Sequence, residues 1–89
     1  LHWFMTKLDK LKARLLQKPK DFSFQELETL LIGLGYEEKK TGKTAGSRKS
    51  FFHPQTKSII RLHKPHPSPI LKTYIIIDII QILTKEGYL

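Results

Sequence analysis

Phe22-Ser23-Phe24-Gln25-Glu26-Leu27-Glu28-Thr29-Leu30-Leu31-Ile32-Gly33-Leu34-Gly35-Tyr36 reads as one helix with both ends encoded. Ser23 is followed three residues later by Glu26, the pattern of a capping box, in which each side chain accepts the other residue's backbone N–H. Phe22 before the cap and Leu27 four residues beyond it have the spacing of a hydrophobic staple. Leu27, Leu30, Leu31 and Leu34 recur at helical intervals and predict the buried stripe. Gly35 takes left-handed backbone at little cost, so the helix is expected to run from Phe24 to Leu34 and close there.

Upstream, Thr6 to Gln17 carries similar signals. Thr6 can cap, Asp9 lies near the positive end of the dipole, leucines stand at 8, 11, 15 and 16, and Pro19 is a stop. Downstream, three short strands are expected, Tyr36 to Lys40, Ser47 to His53 and Ser58 to His63. A glycine-bearing turn over 41–46 joins the first pair, and Pro54-Gln55-Thr56-Lys57 joins the second. Three prolines hold Lys64 to Pro69 extended and irregular.

The last element, Ile70 to Lys85, is expected to be a helix ended by Gly87. Asp78, Gln81 and Lys85 form one polar stripe with Tyr74 on the same line. The remaining circumference is more apolar than a helix resting on a sheet needs. This helix either buries surface against a second chain or sits deep between the sheet and the first helix. The order helix, helix, three strands, helix predicts an α+β fold with a three-stranded antiparallel sheet and helices on one face. Residues 1–20 are read as an N-terminal extension with a short helix, and residues 21–89 as the main domain.

Eighty-nine residues make one domain. Sixteen Lys plus Arg against eight Asp plus Glu give a formal charge of +8, which favours a polyanionic partner such as nucleic acid, an anionic membrane surface or an acidic protein. The absence of cysteine excludes disulfides and cysteine-based zinc sites. The longest apolar run, Tyr74 to Leu83, is too short and too interrupted to cross a bilayer. Leu1 to Phe4, ahead of Met5, are expected to be a short scar or extended start rather than a signal peptide, and a cytoplasmic location is expected.

Lys39, Lys40, Lys43, Arg48 and Lys49 cluster around Gly42 and Gly46, an arrangement that suits phosphate contact or simply a solvated hairpin turn. Gly42-Lys43-Thr44 lacks the upstream glycine and strand of a nucleotide-binding phosphate loop. His53, at a turn beside Pro54, is assigned a surface role. His63 and His66 lie in a proline-rich stretch without nearby carboxylate or cysteine, so no metal site is expected there. Beside lysine and arginine, an imidazole can take the proton of a ribose 2′-hydroxyl or protonate the leaving 5′-oxygen, while the cations stabilise the phosphorane-like transition state. The other reading makes both histidines structural, hydrogen-bonding a rigid proline loop.

From about Asp21 to Leu89 the chain resembles the HicA toxin family. The features are the helix ending Leu34-Gly35-Tyr36, Gly46-Ser47 opening a strand, the Phe52-His53-Pro54 turn, the His63 to Pro67 segment, and a last helix ending near Gly87-Tyr88-Leu89. The resemblance implies an α-β-β-β-α fold like that of double-stranded-RNA-binding domains, ribosome-independent cleavage of mRNA, and neutralisation by a HicB-type antitoxin. Because the nucleophile would be the RNA's own 2′-hydroxyl, the expected endoribonuclease is metal-independent. Most members carry a histidine, taken as catalytic, directly after the Gly-Ser pair. Here that position is Arg48, which stays protonated and cannot act as a base.

His66 and His63 are therefore the candidate catalytic residues, and Lys40, Lys43, Arg48, Lys49, Arg61 and Lys64 the candidate RNA-binding cations. No cofactor is expected. The expected partners are mRNA and the antitoxin, with a homodimer through the Ile70 to Lys85 helix as a further candidate contact. The competing readings are a non-catalytic RNA-binding regulator and an interaction protein whose basic face meets an acidic chain.

Overall fold

A computed structural model of the chain describes residues 6–39 and 48–89. Its elements run α1 (Lys7–Leu16), α2 (Phe24–Gly33), β1 (Glu37–Lys39), β2 (Arg48–Phe52), β3 (Ile59–His63) and α3 (Thr73–Lys85). The strands form one antiparallel sheet in the order β1-β2-β3, giving the expected α+β architecture. Lys40, Gly42, Lys43, Gly46 and Ser47, together with Leu1 to Phe4, lie outside the described residues.

Both capping boxes form. Thr6 Oγ1 accepts from the Asp9 N–H at 3.1 Å, and Ser23 Oγ accepts from the Glu26 N–H at 3.1 Å. Each is worth about 1 kcal/mol of helix stability. Glu26 does more than cap: Arg14 Nε donates to its Oε2 at 2.8 Å, and Arg14 Nη2 also reaches Asp21, so α1 is tied to the start of α2. The hydrogen bond from Arg14 holds the Glu26 carboxyl below the usual glutamate range, against the opposing effect of burial. At the other end of this contact Gly33 leaves room for α1, since a Cβ there would stand 2.8 Å from Leu8 Cδ1.

Two helices end in the same way. Gly35 (φ 104°) and Gly87 (φ 88°) are left-handed, and the next residue in each case reaches back, Tyr36 N–H to the Leu31 carbonyl (3.0 Å) and Tyr88 N–H to that of Leu83 (2.8 Å). These are Schellman closures. Each delivers a tyrosine, and both tyrosines meet His53: the Tyr36 ring edge-on at 5.0 Å, the Tyr88 ring stacked at 5.6 Å.

His53 is thus buried, correcting the surface role expected for it. Its Nδ1 accepts from the Gln55 and Thr56 N–H groups (3.2 and 3.4 Å), which fixes the proton on Nε2. Nε2 lies 3.0 Å from the Leu34 carbonyl and 2.6 Å from Tyr88 Oη. The ring joins the end of α2, the β2–β3 turn and the C-terminal residues.

The sheet's inner face contributes Phe51, Ile60 and Leu62 to a core with Phe22, Phe24, Leu27, Leu30 and Leu31 from the α2 region, and Ile76, Ile79 and Leu83 from α3. Leu15 of α1 is fully buried in the same core. α1 also touches α3. Most of the surplus apolar surface of α3 is therefore consumed within the chain; of its isoleucines Ile77 alone is exposed, while Tyr74, Asp78, Gln81 and Lys85 form the outer stripe.

α3 begins three residues later than the isoleucine pattern suggests. The Pro69 carbonyl accepts from the Phe24 N–H (2.8 Å) and the Leu71 N–H donates to the Phe22 carbonyl (2.9 Å), so Ile70 forms a bridge with Ser23 instead of a helical turn.

Candidate nucleic-acid interface

Helices cover one face of the sheet, and the other carries the candidate site. Directly opposed residues of antiparallel strands share a face. Register therefore aligns three rows on the open side: Arg48 with His63; Lys39 with Ser50 and Arg61; Glu37 with Phe52 and Ile59. Lys39, Arg48, Arg61 and His63 are exposed, and Ile59 is 48% exposed.

Phe52 is the aromatic centre of this face. Lys39 Nζ lies 5.7 Å and Lys57 Nζ 5.9 Å from its ring centroid. Lys57 reaches it because the four-residue turn ends in left-handed backbone at Lys57 (φ 65°). Glu37 is the one carboxylate in these three rows. Phe52 is half-buried, and cations beside an aromatic on an open face are the chemistry of nucleic-acid contact: phosphates meet the charges and bases stack on the ring.

Arg48, Arg61 and His63 are thus brought to one surface, with Lys64 exposed immediately after them. His66 is exposed further along the proline-rich segment. Lys49 goes the other way. It shares the inner face with Phe51 and Leu62, and its ammonium lies 3.1 Å from Glu28 and 3.6 Å from Glu38, over the Phe24 ring. The hydrogen bond to Glu28 raises its pKa above the usual lysine value. Lys40 and Lys43 lie outside the described residues.

Nothing in the sequence marks Phe52 or Lys57 as a contact residue, although strand alternation places Phe52 on the same face as Arg48. Among the described residues, no three histidine, cysteine or carboxylate side chains gather as metal ligands. No described helix is long and apolar enough to cross a membrane.

An α-β-β-β-α domain with one helix-covered sheet face and one open basic face is the class this chain represents. It belongs to the HicA toxin family of bacterial toxin–antitoxin systems, whose family model, described as HicA toxin of bacterial toxin-antitoxin, matches residues 24–84. The chain is accordingly a toxin with an antitoxin as partner. No curated protein and no solved structure matches it. The matched region starts at the first residue of α2, so α1 precedes it.

Proposed function

We propose that this toxin binds mRNA on the open sheet face and cleaves it as an endoribonuclease, with His63 and Arg48 at the reacting phosphate. The supporting observation is the pairing of Arg48 with His63 across β2 and β3. The position at which related toxins are expected to carry a catalytic histidine is arginine here, yet an imidazole stands opposite it on the same face. Its proton-transfer role can move to the neighbouring strand without leaving the site.

In this reading His63 takes the proton from a ribose 2′-hydroxyl. The 2′-oxygen attacks phosphorus, the bond to the 5′-oxygen breaks, and a 2′,3′-cyclic phosphate and a 5′-hydroxyl result. Arg48, always protonated, stabilises the charge on the non-bridging oxygens. His66 returns a proton to the 5′-oxygen. The nucleophile comes from the RNA, so no metal is required to generate it. Arg61 and Lys64 hold flanking phosphates, joined by Lys39 and Lys57; Lys40 and Lys43, which lie outside the described residues, are assigned to the same task from their charge in the sequence. The partner is a HicB-type antitoxin; a second copy meeting Ile77 of α3 is a weaker candidate contact, and the cytoplasm is the expected location.

Arginine at the usual histidine position favours one alternative, binding of RNA without cleavage. Incubating the purified chain with RNA in EDTA separates the two: strand scission abolished in His63→Ala supports the nuclease, whereas intact RNA retarded on a native gel supports the binding module.

A further inference from the structure

β3 is an end strand, and its open edge borders a cavity of about 210 Å³. Arg61, His63, Leu71, Lys72, Tyr74 and Ile75 are among its lining residues. We propose that this cavity receives one unstacked nucleobase of a single-stranded RNA, a specificity pocket adjoining His63; the inference rests on the RNA-binding reading above.

Four features point to a base. The size is the first: at about 30 Å³ per water, the cavity holds roughly seven waters, the scale of one ring system rather than an extended ligand. Its walls are the second. Leu71 is buried and Ile75 half-buried, giving an apolar floor, while Tyr74 is 61% exposed at the rim, where its ring can stack. The third is charge: Arg61 and Lys72 both line the cavity and are exposed, so they can meet the phosphates flanking an extruded nucleotide.

The fourth is the strand edge. His53 donates its N–H to the Ser58 carbonyl at 2.9 Å, which sets the alternation of the β2–β3 ladder. Backbone groups of Ser58, Ile60 and Leu62 turn toward β2, and those of Ile59, Arg61 and His63 turn outward. Two residues lining the cavity therefore offer main-chain donors and acceptors to the polar edge of a base. A base held there places its own ribose or its neighbour's near His63, coupling base recognition to the site of cleavage.

The test is a titration of the full chain with a mixed-sequence single-stranded RNA octamer, followed by amide NMR and by fluorescence anisotropy. Tyr74→Leu removes the stacking ring at an exposed position, Ile75→Trp fills the cavity, and Gln81→Ala, further along α3, is the control. The expected result is shifts at Arg61, His63, Tyr74 and Ile75, and at least tenfold weaker binding in both cavity variants, with the control unchanged. Should Ile75→Trp fail to fold, Tyr74→Leu carries the test alone. RNA binding that leaves the cavity resonances and the Tyr74→Leu affinity unchanged overturns the pocket while sparing the sheet-face reading. No RNA binding by the unaltered chain overturns both.

Discussion

Arg48 and His63 are direct cross-strand partners on the open face of the sheet, at the end where β2 begins and β3 finishes. In the proposed mechanism the two act differently, and their variants separate accordingly. Arg48→Ala should weaken single-stranded RNA binding about tenfold and reduce the log–log salt slope by about 0.7, the change expected when one fewer phosphate is neutralised. His63→Ala should leave the salt slope unchanged and the affinity within about threefold of the unaltered chain. Anisotropy titrations over a salt series measure this, and an unchanged slope in Arg48→Ala would count against an arginine–phosphate pair there.

Lys49 adjoins Arg48 in sequence and points to the opposite side of the sheet, between Glu28 and Glu38. Lys49→Ala should leave the RNA salt slope unchanged and cost about 0.5 kcal/mol of stability, as a partly exposed ion pair does. Urea unfolding beside the same salt series checks it. A slope change like that of Arg48→Ala would place Lys49 among the residues that touch RNA.

The His53 junction should behave as structure. A Cβ on Gly35 would stand 2.7 Å from His53 Nε2, at a backbone φ of 104°. Gly35→Ala should therefore lose about 2 kcal/mol or more from strain. Tyr88→Phe removes a hydroxyl 2.6 Å from the same nitrogen and should cost about 1 kcal/mol. Both variants should keep wild-type RNA affinity at temperatures where they remain folded, as followed by circular dichroism and anisotropy together.

Acid should loosen the joint between α1 and α2. The Glu26 carboxyl is lowered, chiefly by its hydrogen bond from Arg14. A carboxylate lowered in the folded state adds stability above its unfolded pKa, about 4.3, and that stability fades as pH falls through the lower folded value. Urea midpoints should drop below about pH 4.5, and Glu26→Gln should flatten that part of the profile while lowering stability at pH 7. An equally steep acid limb in Glu26→Gln would move the effect to other carboxylates.

Much of the fold is legible where signals are local. Thr6 with Asp9, Ser23 with Glu26, and glycines at 35 and 87 are contained within single helices, so caps and closures follow from short-range chemistry. The start of α3 is not local, because Phe22 and Phe24, nearly fifty residues upstream, take the backbone groups of Leu71 and Pro69. Burial of His53 depends on Tyr88, 35 residues away, and no residue beside it announces that pairing. The orientation of Lys49 is hidden by the adjacent Phe51 and Phe52, since either aromatic could face the core. Once Phe51 is inside, alternation sends Lys49 in, and Arg48 and Phe52 out. The face around Phe52 and the cavity at β3 emerge only when the strands are in register.

The most direct measurement of the proposed chemistry is cleavage of a long single-stranded RNA by the purified chain in EDTA, on a denaturing gel beside His63→Ala. Fragments ending in 2′,3′-cyclic phosphate are expected, with a rate lowered at least about a hundredfold in the variant, the scale of removing a general base. Intact RNA that is still bound, or unaltered cleavage by His63→Ala, would contradict the proposed chemistry.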